Sequence, residues 1–478
     1  MQNRSYLIYE YFKSRITFGC YSICESLPST GTVGRQFACS PQTVRKALLR
    51  MRDEGYISLS PGRRAKVVYD AGHKGNHLLK DHLLARKEGL SDLYGSVEFI
   101  WQRLTDTGIR LMGEGDIAFL EGCASRKEAD PLWLFTVSFW AILRPIKNDL
   151  ILNLFWNTVR YIRFPYLWDS GARIASDVDF LKSGLLRVIS SIKSGDTRNI
   201  AEAFYECYSR IVLTLNAEAY SPGEAVCLPP QIPFQWEIWR IRAQKCYTAA
   251  ASLIQKINEG IYPEGSFLPS ASALAHDYGV SVMTMRRTIR LLNEISVTKT
   301  YNGRGTQVLT INERPRQQEK LSPEIMRNMS LSLQGLHLVC LTCGEVMRDT
   351  LANAESADRD AFKERLEGIF ENKNPSCILP ACLKFIGEKN RLAYVRTVYA
   401  SLYELSAWTS PLFSYPRSSE EDYESSKYIS RESLYLLRAG KFVEFAEIFH
   451  KKLAQDLPML QKHLAQLGAN DALEMCRM

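Results

Sequence analysis

The 478-residue chain has no long uncharged apolar run. Its most apolar stretch, Pro131 to Leu167, is broken by Arg144, Lys147, Asp149, Arg160 and Arg163, and the uncharged part stops at Leu143, too short to span a bilayer. The N-terminal run MQNRSYLIYEYFKSR lacks the extended apolar core of a secretory signal, so a cytoplasmic protein with no membrane partner is expected. Metal-site spacing is missing too: Cys340 and Cys343 form one CxxC with no second pair at a zinc-site interval, which favours two buried thiols. The twelve cysteines are scattered, and without an export signal free thiols are expected in place of a disulfide framework. A composition of 46% hydrophobic and 23% charged residues is that of an ordinary globular protein, and the length implies two to four domains.

What the chain does have is unevenly placed positive charge. The net charge is +8. Residues 1–70 hold eleven Lys and Arg against five Asp and Glu, or +6, and residues 239–312 hold nine against four, or +5, leaving −3 for everything else. Two separated basic blocks are the footprint of contact with a polyanion, although a solvated basic surface has the same composition.

The two blocks also repeat one another. A constant shift of 241 pairs Tyr6 with Tyr247, Ile16 with Ile257, Gly19 with Gly260, and Leu27-Pro28-Ser29 with Leu268-Pro269-Ser270. It goes on to pair Ser40 with Ser281, Thr43 with Thr284, Arg45 with Arg286, Gly62-Arg63 with Gly303-Arg304, and Val67 with Val308. A fainter correspondence follows each block: Asn148-Asp149-Leu150 resembles Asn390-Arg391-Leu392 at a shift of 242, and Gly195, Ala201, Glu202 and Phe204 fall on Gly440, Ala446, Glu447 and Phe449 at 245. The expected organisation is therefore two copies of a basic module followed by a helical domain.

In the first module, apolar residues at Leu7, Ile8, Tyr11, Phe12 and Ile16 predict a helix over Tyr6 to Phe18 that Gly19 ends. A short segment runs from Thr30 to Phe37, and Ser40-Pro41 opens a helix to Glu54, the serine capping free amides and the proline fitting the first turn. Val44, Leu48 and Met51 face inward. Gly55 to Leu59 and Ala65 to Tyr69 then read as two strands around the Pro61-Gly62 turn. The second module repeats the order with helices over Thr248 to Glu259 and Ala271 to Tyr278, a third opened by Ser281, and a wing turn at Asn302-Gly303-Arg304-Gly305. Three helices and a two-stranded wing put the third helix where it can enter a major groove. The candidate groove residues are Ser40, Gln42, Thr43, Arg45 and Lys46 in the first module, and Ser281, Met283, Thr284, Arg286 and Arg287 in the second. Gly62, Arg63, Arg64, Lys66, Gly303 and Arg304 are the candidate wing contacts to phosphate or minor groove.

These motifs resemble the DNA-binding domain of the GntR family of regulators. The resemblance is carried by Gly19 with Leu27-Pro28-Ser29, Ser40-x-x-Thr43-Val44-Arg45, Gly55-Tyr56-Ile57 and Gly62-Arg63, then by Gly260 with Leu268-Pro269-Ser270, Ser281-x-x-Thr284-Met285-Arg286 and Gly303-Arg304-Gly305-Thr306. It covers a quarter to a third of the chain. It implies a transcription regulator with tandem winged helix-turn-helix domains, double-stranded DNA as partner, and no enzymatic activity. The chain departs from the family where a Glu-Arg pair usually follows the Leu-Pro-Ser turn and an Arg follows the capping residue. Thr30-Gly31 and Pro41 stand there in the first copy, Ala271-Ser272 and Val282 in the second. The second copy also has Ser296-Val297-Thr298 in place of Gly-Tyr-Ile.

The fold class expected is mainly α: a winged helix-turn-helix at 1–70, a helical bundle at 78–220, a linker at 221–240, a second winged helix-turn-helix at 241–312 and a second bundle at 320–478. The resemblance extends to FadR-like helical domains, which bind effectors, often beside a histidine-held metal. Leu185, Tyr208, Ser430 and Leu453 stand where those histidines would lie, so no metal and no cofactor are expected. His73, His77 and His82 read as a solvated linker more readily than as ligands. Tryptophans 101, 133, 140, 156 and 168 suit a bundle core, with an effector pocket as the sharper alternative and the effector itself unknown. One chain with two modules implies a pseudo-dimer, with pairing into a homodimer left open. Two rivals are a MocR-type fusion to a pyridoxal-phosphate enzyme and a scaffold with decayed modules. The former needs a Schiff-base lysine and an alternating α/β pattern, neither evident after residue 70.

Overall fold

The computed structural model describes residues 3–17, 21–36, 39–70, 84–125, 131–162, 171–194, 229–238, 245–310, 313, 321–371, 377–409, 432–469 and 472–476. The chain divides into two compact units, one of residues 1–145 and 152–237, the other of 146–151 and 238–478.

The first unit opens with α1 (Asn3–Thr17), α2 (Thr30–Gln36) and α3 (Pro41–Asp53), followed by the antiparallel pair β1 (Ile57–Ser58) and β2 (Lys66–Val67). Ile8, Phe12 and Ile16 of α1 pack with Val44, Leu48 and Met51 of α3, all buried, the one-face spacing that an amphipathic helix supplies. The strands are shorter than the alternation of Gly55–Leu59 and Ala65–Tyr69 suggests. Each keeps one buried residue, Ile57 and Val67, and the flanking residues close against other backbone: Leu27 N donates to Ala65 O at 2.8 Å and Val68 N to Tyr56 O at 3.0 Å.

Helices continue with α4 (Lys87–Gly95), a π-helical stretch at Val97–Trp101, α5 (Gln102–Arg110), α6 (Glu114–Ala124), α7 (Pro131–Leu143), α8 (Asp149–Ile162) and α9 (Gly171–Ser194). Trp101, Phe139 and Phe155 form the aromatic centre, the two phenylalanine rings stacked with centroids 5.4 Å apart. Trp101, Trp140 and Trp156 are buried, while the side chain of Trp133 and all of Trp168 lie outside the described residues, as do His73, His77, His82, Gly195, Ala201, Glu202, Phe204, Tyr208 and Ser430. Part of the expected linker is an ordered strap. Residues 229–237 lie against this bundle: Ile232 N donates to Ala85 O at 2.7 Å, Tyr161 donates its hydroxyl to Ile232 O at 2.7 Å, and Trp236 Nε1 donates to Asn153 Oδ1 at 2.8 Å. Phe234 and Trp236 are buried, so the stretch is anchored by side chains that a free linker would leave in water.

The second unit has α10 (Lys245–Asn258), α11 (Ala271–Asp277), α12 (Val282–Glu294), the antiparallel strands β3 (Thr298–Tyr301) and β4 (Gly305–Val308), then α13 (Pro323–Asn353), α14 (Ser356–Glu371), α15 (Ile378–Lys389), α16 (Ala393–Ser406) and α17 (Phe442–Gln466). The long α13 runs beside α17 and α16, its hydroxyls tied across by Ser332 Oγ to Leu405 O at 2.6 Å and Thr342 to Tyr399 at 2.8 Å. Cys340 and Cys343 are fully buried free thiols on α13, and burial pushes Cys340 up to about 12. Residues 146–151 belong to this unit: Asn148 Nδ2 donates to Gln334 O at 2.9 Å. Asn148 also caps the start of α8 by accepting from the Leu150 and Ile151 amides, both at 3.0 Å. Asn390 makes a related turn ahead of α16, accepting from Leu392 N at 2.9 Å, and both asparagines are buried. Among the described residues no helix is long and apolar enough to cross a membrane, and no group of three or more His, Cys, Asp or Glu is arranged to hold a metal ion.

Candidate nucleic-acid interface

The third helix of each head starts the same way. Ser281 has extended backbone, and its Oγ accepts from Thr284 N at 3.1 Å while its hydroxyl pairs with that of Thr284 at 2.8 Å. Ser40 accepts from Thr43 N at 3.3 Å and pairs with its hydroxyl at 2.9 Å. The two serine hydroxyls are thus first of all cap groups, each satisfying an amide that a helix start leaves open, and the two threonine hydroxyls hold them in place.

Helical periodicity then sorts the side chains. In α12, Met285, Thr288, Ile289, Leu291 and Leu292 are buried, and Thr288 Oγ1 reaches Cys246 O of α10 at 3.2 Å. Met283, Arg286, Arg287 and Arg290 share the opposite stripe, spaced i, i+3, i+4 and i+7, and all are exposed. Arg287 hydrogen-bonds the Tyr247 hydroxyl. In α3, Val44, Ala47, Leu48 and Met51 are buried and Gln42, Arg45 and Lys46 are exposed. Arg50 and Arg52, also on α3, pair with Glu54 at 3.0 Å and Asp53 at 2.6 Å. Arg45, Lys46, Arg286 and Arg290, by contrast, have no acidic partner among the described residues. Arg290 was not among the sequence candidates; its place one further turn along the Met283 stripe is the signal that marks it.

The wings supply the second group of cations. Gly303, with φ +74°, makes the tip between β3 and β4, and Arg304 N closes it on Tyr301 O at 3.2 Å. Arg304 is exposed at that tip. Asn293 fixes the wing to the end of α12, donating to Thr300 Oγ1 at 2.9 Å and accepting from Thr298 Oγ1 at 2.7 Å. In the first head Gly62, with φ +69°, occupies the equivalent tip, Arg63 N donates to Ser60 O at 3.2 Å, and Arg63, Arg64 and Lys66 are exposed.

The hydrogen bonds of the two heads recur at the same separation of 241. Leu27 N to Ala65 O and Leu268 N to Thr306 O are each 2.8 Å, and Val67 N to Glu25 O and Val308 N to Ser266 O are each 2.9 Å. The bridge Ser26 with Lys66 matches Phe267 with Gln307. Tyr56 N to Met51 O matches Val297 N to Leu292 O, although Gly-Tyr-Ile has become Ser-Val-Thr. Ser296 takes the left-handed turn of Gly55, with φ +57° against +81°, a conformation a serine adopts at some cost.

The heads differ inside. In the first, Glu54 accepts from Tyr9, from Lys13 at 3.1 Å and from Arg50 at 3.0 Å, and the Arg50 guanidinium lies 4.1 Å from the centre of the Tyr9 ring. Burial alone would raise the Glu54 carboxyl, but these three donors hold it down at about 2. The same positions in the second head are Ala250, Ile254, Leu291 and Ile295, all buried. There the polar cluster sits instead at the helix end: Glu259 accepts from Lys384 at 2.7 Å, Tyr403 at 2.9 Å and Arg365 at 3.3 Å, linking the head to the bundle of its own unit and keeping the carboxyl below its usual range against the opposing effect of burial.

The family model described as bacterial regulatory proteins, gntR family, matches residues 247–308, the span from α10 to β4. Residues 247–308 are a GntR-family helix-turn-helix domain. Among solved structures, the chain is similar to Streptococcus agalactiae GntR at 17% identity over 45% of this chain and 99% of that one, with a TM-score of 0.21. A putative transcriptional regulator GntR from Rhodococcus sp. RHA1 is 14% identical over 46% of this chain and 98% of its own, TM-score 0.26, and E. coli McbR/YncC is 14% identical over 46% and 98%, TM-score 0.22. No curated protein matches the chain. Within the GntR-family domain lie Ser281, Met283, Thr284, Arg286, Arg287, Gly303 and Arg304.

Proposed function

We propose that this protein is a sequence-specific DNA-binding transcription regulator in which residues 1–70 form a second GntR-type head, so that one chain reads two half-sites as a pseudo-dimer. The observation that carries the reading is the recurrence of caps, turns and wing hydrogen bonds at one separation, from Cys24 N to Val67 O and Gly265 N to Val308 O through Arg63 N to Ser60 O and Arg304 N to Tyr301 O. A single register over this many long-range bonds follows readily from duplication and poorly from chance. The exposed third-helix cations, Arg45 and Lys46 in one head and Arg286 and Arg287 in the other, are placed for base edges, and Arg63, Arg64, Lys66 and Arg304 for phosphates. Gln42 and Met283 occupy equivalent places with different chemistry, so the two half-sites differ. Linking the heads makes the second contact intramolecular and raises its effective concentration. The helical bundles are where an effector would act.

Anisotropy titrations of the full chain with a selected duplex test this. Replacing Arg45 and Lys46 by Ala, or Arg286 and Arg287 by Ala, weakens specific binding in either case by about tenfold or more, since a base contact is worth about 1–3 kcal/mol. If only the Arg286 and Arg287 pair matters, the first head does not read DNA and the pseudo-dimer reading is wrong.

A further inference from the structure

Met283 is the most exposed of the large apolar side chains in the described residues, at 72% relative accessibility, and Val282 beside it is exposed as well. Isolated exposed apolar residues are common on protein surfaces and need no partner. Met283 differs by position. It stands in the first turn of α12, the stretch of a third helix that comes closest to base edges, and it begins the outward stripe that Arg286, Arg287 and Arg290 continue. An apolar side chain at the head of a cationic stripe faces a polyanion whose groove offers hydrogen-bonding edges and one apolar feature, the C5 methyl of thymine.

On the basis of the function proposed above, we infer that Met283 reads a thymine methyl group in the half-site of the second head. The unbranched thioether reaches outward from a cap already satisfied by Ser281 and Thr284, so it has no structural task to compete with this one. Its counterpart Gln42 carries an amide at the same place in α3 and is suited to the adenine edge, which accepts and donates side by side. The two heads therefore discriminate at the same helix position by different chemistry: methyl contact in one, paired hydrogen bonds in the other. Val282, exposed beside Met283, extends the apolar surface at the start of α12.

Replacing thymines by uracil, one at a time, in a duplex selected by the full chain removes only the methyl group and leaves pairing intact. Binding of the unaltered protein falls about fourfold at one thymine of the half-site, the value of one buried methyl-sized group. Met283→Ala binds the thymine and uracil duplexes equally, and Met283→Leu, still apolar, keeps most of the preference. If the unaltered protein is indifferent to every replacement while Arg286→Ala still loses affinity, the methyl contact is refuted and the DNA-binding reading stands. If Arg286→Ala also binds as well as the unaltered protein, the reading beneath the inference fails with it.

Discussion

Protonating Glu54 loosens the first head, and the size of the effect follows from its three donors. The carboxyl is held from an ordinary 4.5 down to about 2 by Tyr9, Lys13 and Arg50. A group depressed in the folded state contributes stability above its unfolded value, so the contribution is complete above pH 4.5 and fades as the pH falls toward 2. At about 1.4 kcal/mol per unit the full shift would correspond to roughly 3 kcal/mol. Glu54 is 34% exposed, so solvent screening reduces this to about 1 kcal/mol. Hydrogen exchange read separately for α1 and α3 measures it, with Glu54→Gln as the reference. In the unaltered protein, α1 and α3 lose about two- to threefold in protection between pH 5 and pH 3 beyond the change seen in Glu54→Gln, roughly half of the contribution, the rest being lost below pH 3. Equal pH dependence in the two proteins would show that the cluster stores no charge-dependent stability and refute the reasoning.

Other perturbations have equally definite outcomes. Ser281→Ala removes the acceptor for Thr284 N and costs about 1 kcal/mol of thermal stability in the second unit, measured by calorimetry. Gly108→Ala places a Cβ 2.1 Å from the Ile142 carbonyl oxygen in the first bundle, so it costs about 2 kcal/mol or more and lowers soluble yield. Gly303→Ala forces a side chain into φ +74° and costs about 1 kcal/mol, with weaker duplex binding as the wing tip shifts. Trp236→Phe breaks the bond to Asn153 Oδ1, costs about 1 kcal/mol, and exposes residues 229–237 to limited proteolysis.

Much of each head was legible because its determinants are local. A cap is written in Ser40 and Ser281, a left-handed tip in Gly62 and Gly303, and a buried face in the spacing of Val44, Leu48 and Met51. Helix limits moved by one to three residues: α10 begins at Lys245, ahead of Thr248, and ends at Asn258, one residue short of Glu259. Contacts distant in sequence were not legible. Nothing near Glu54 announces Tyr9, and the chemistry that makes residues 229–237 a strap, Trp236 on Asn153 and Tyr161 on Ile232, joins positions about 70 to 80 apart. The turns made by Asn148 and Asn390 lie in a matching triplet of the sequence, but burial is what gives them structural weight. Ser296 shows the reverse: the residue changed from glycine, and the hydrogen bonds of the neighbouring backbone still impose the glycine conformation.

Selecting duplexes from a random pool with the full chain tests the central claim most directly. A consensus of two unlike half-sites inside one footprint, with one chain bound per duplex, is the predicted result. A strict palindrome occupied by two chains, or a single half-site flanked by random sequence, would contradict it.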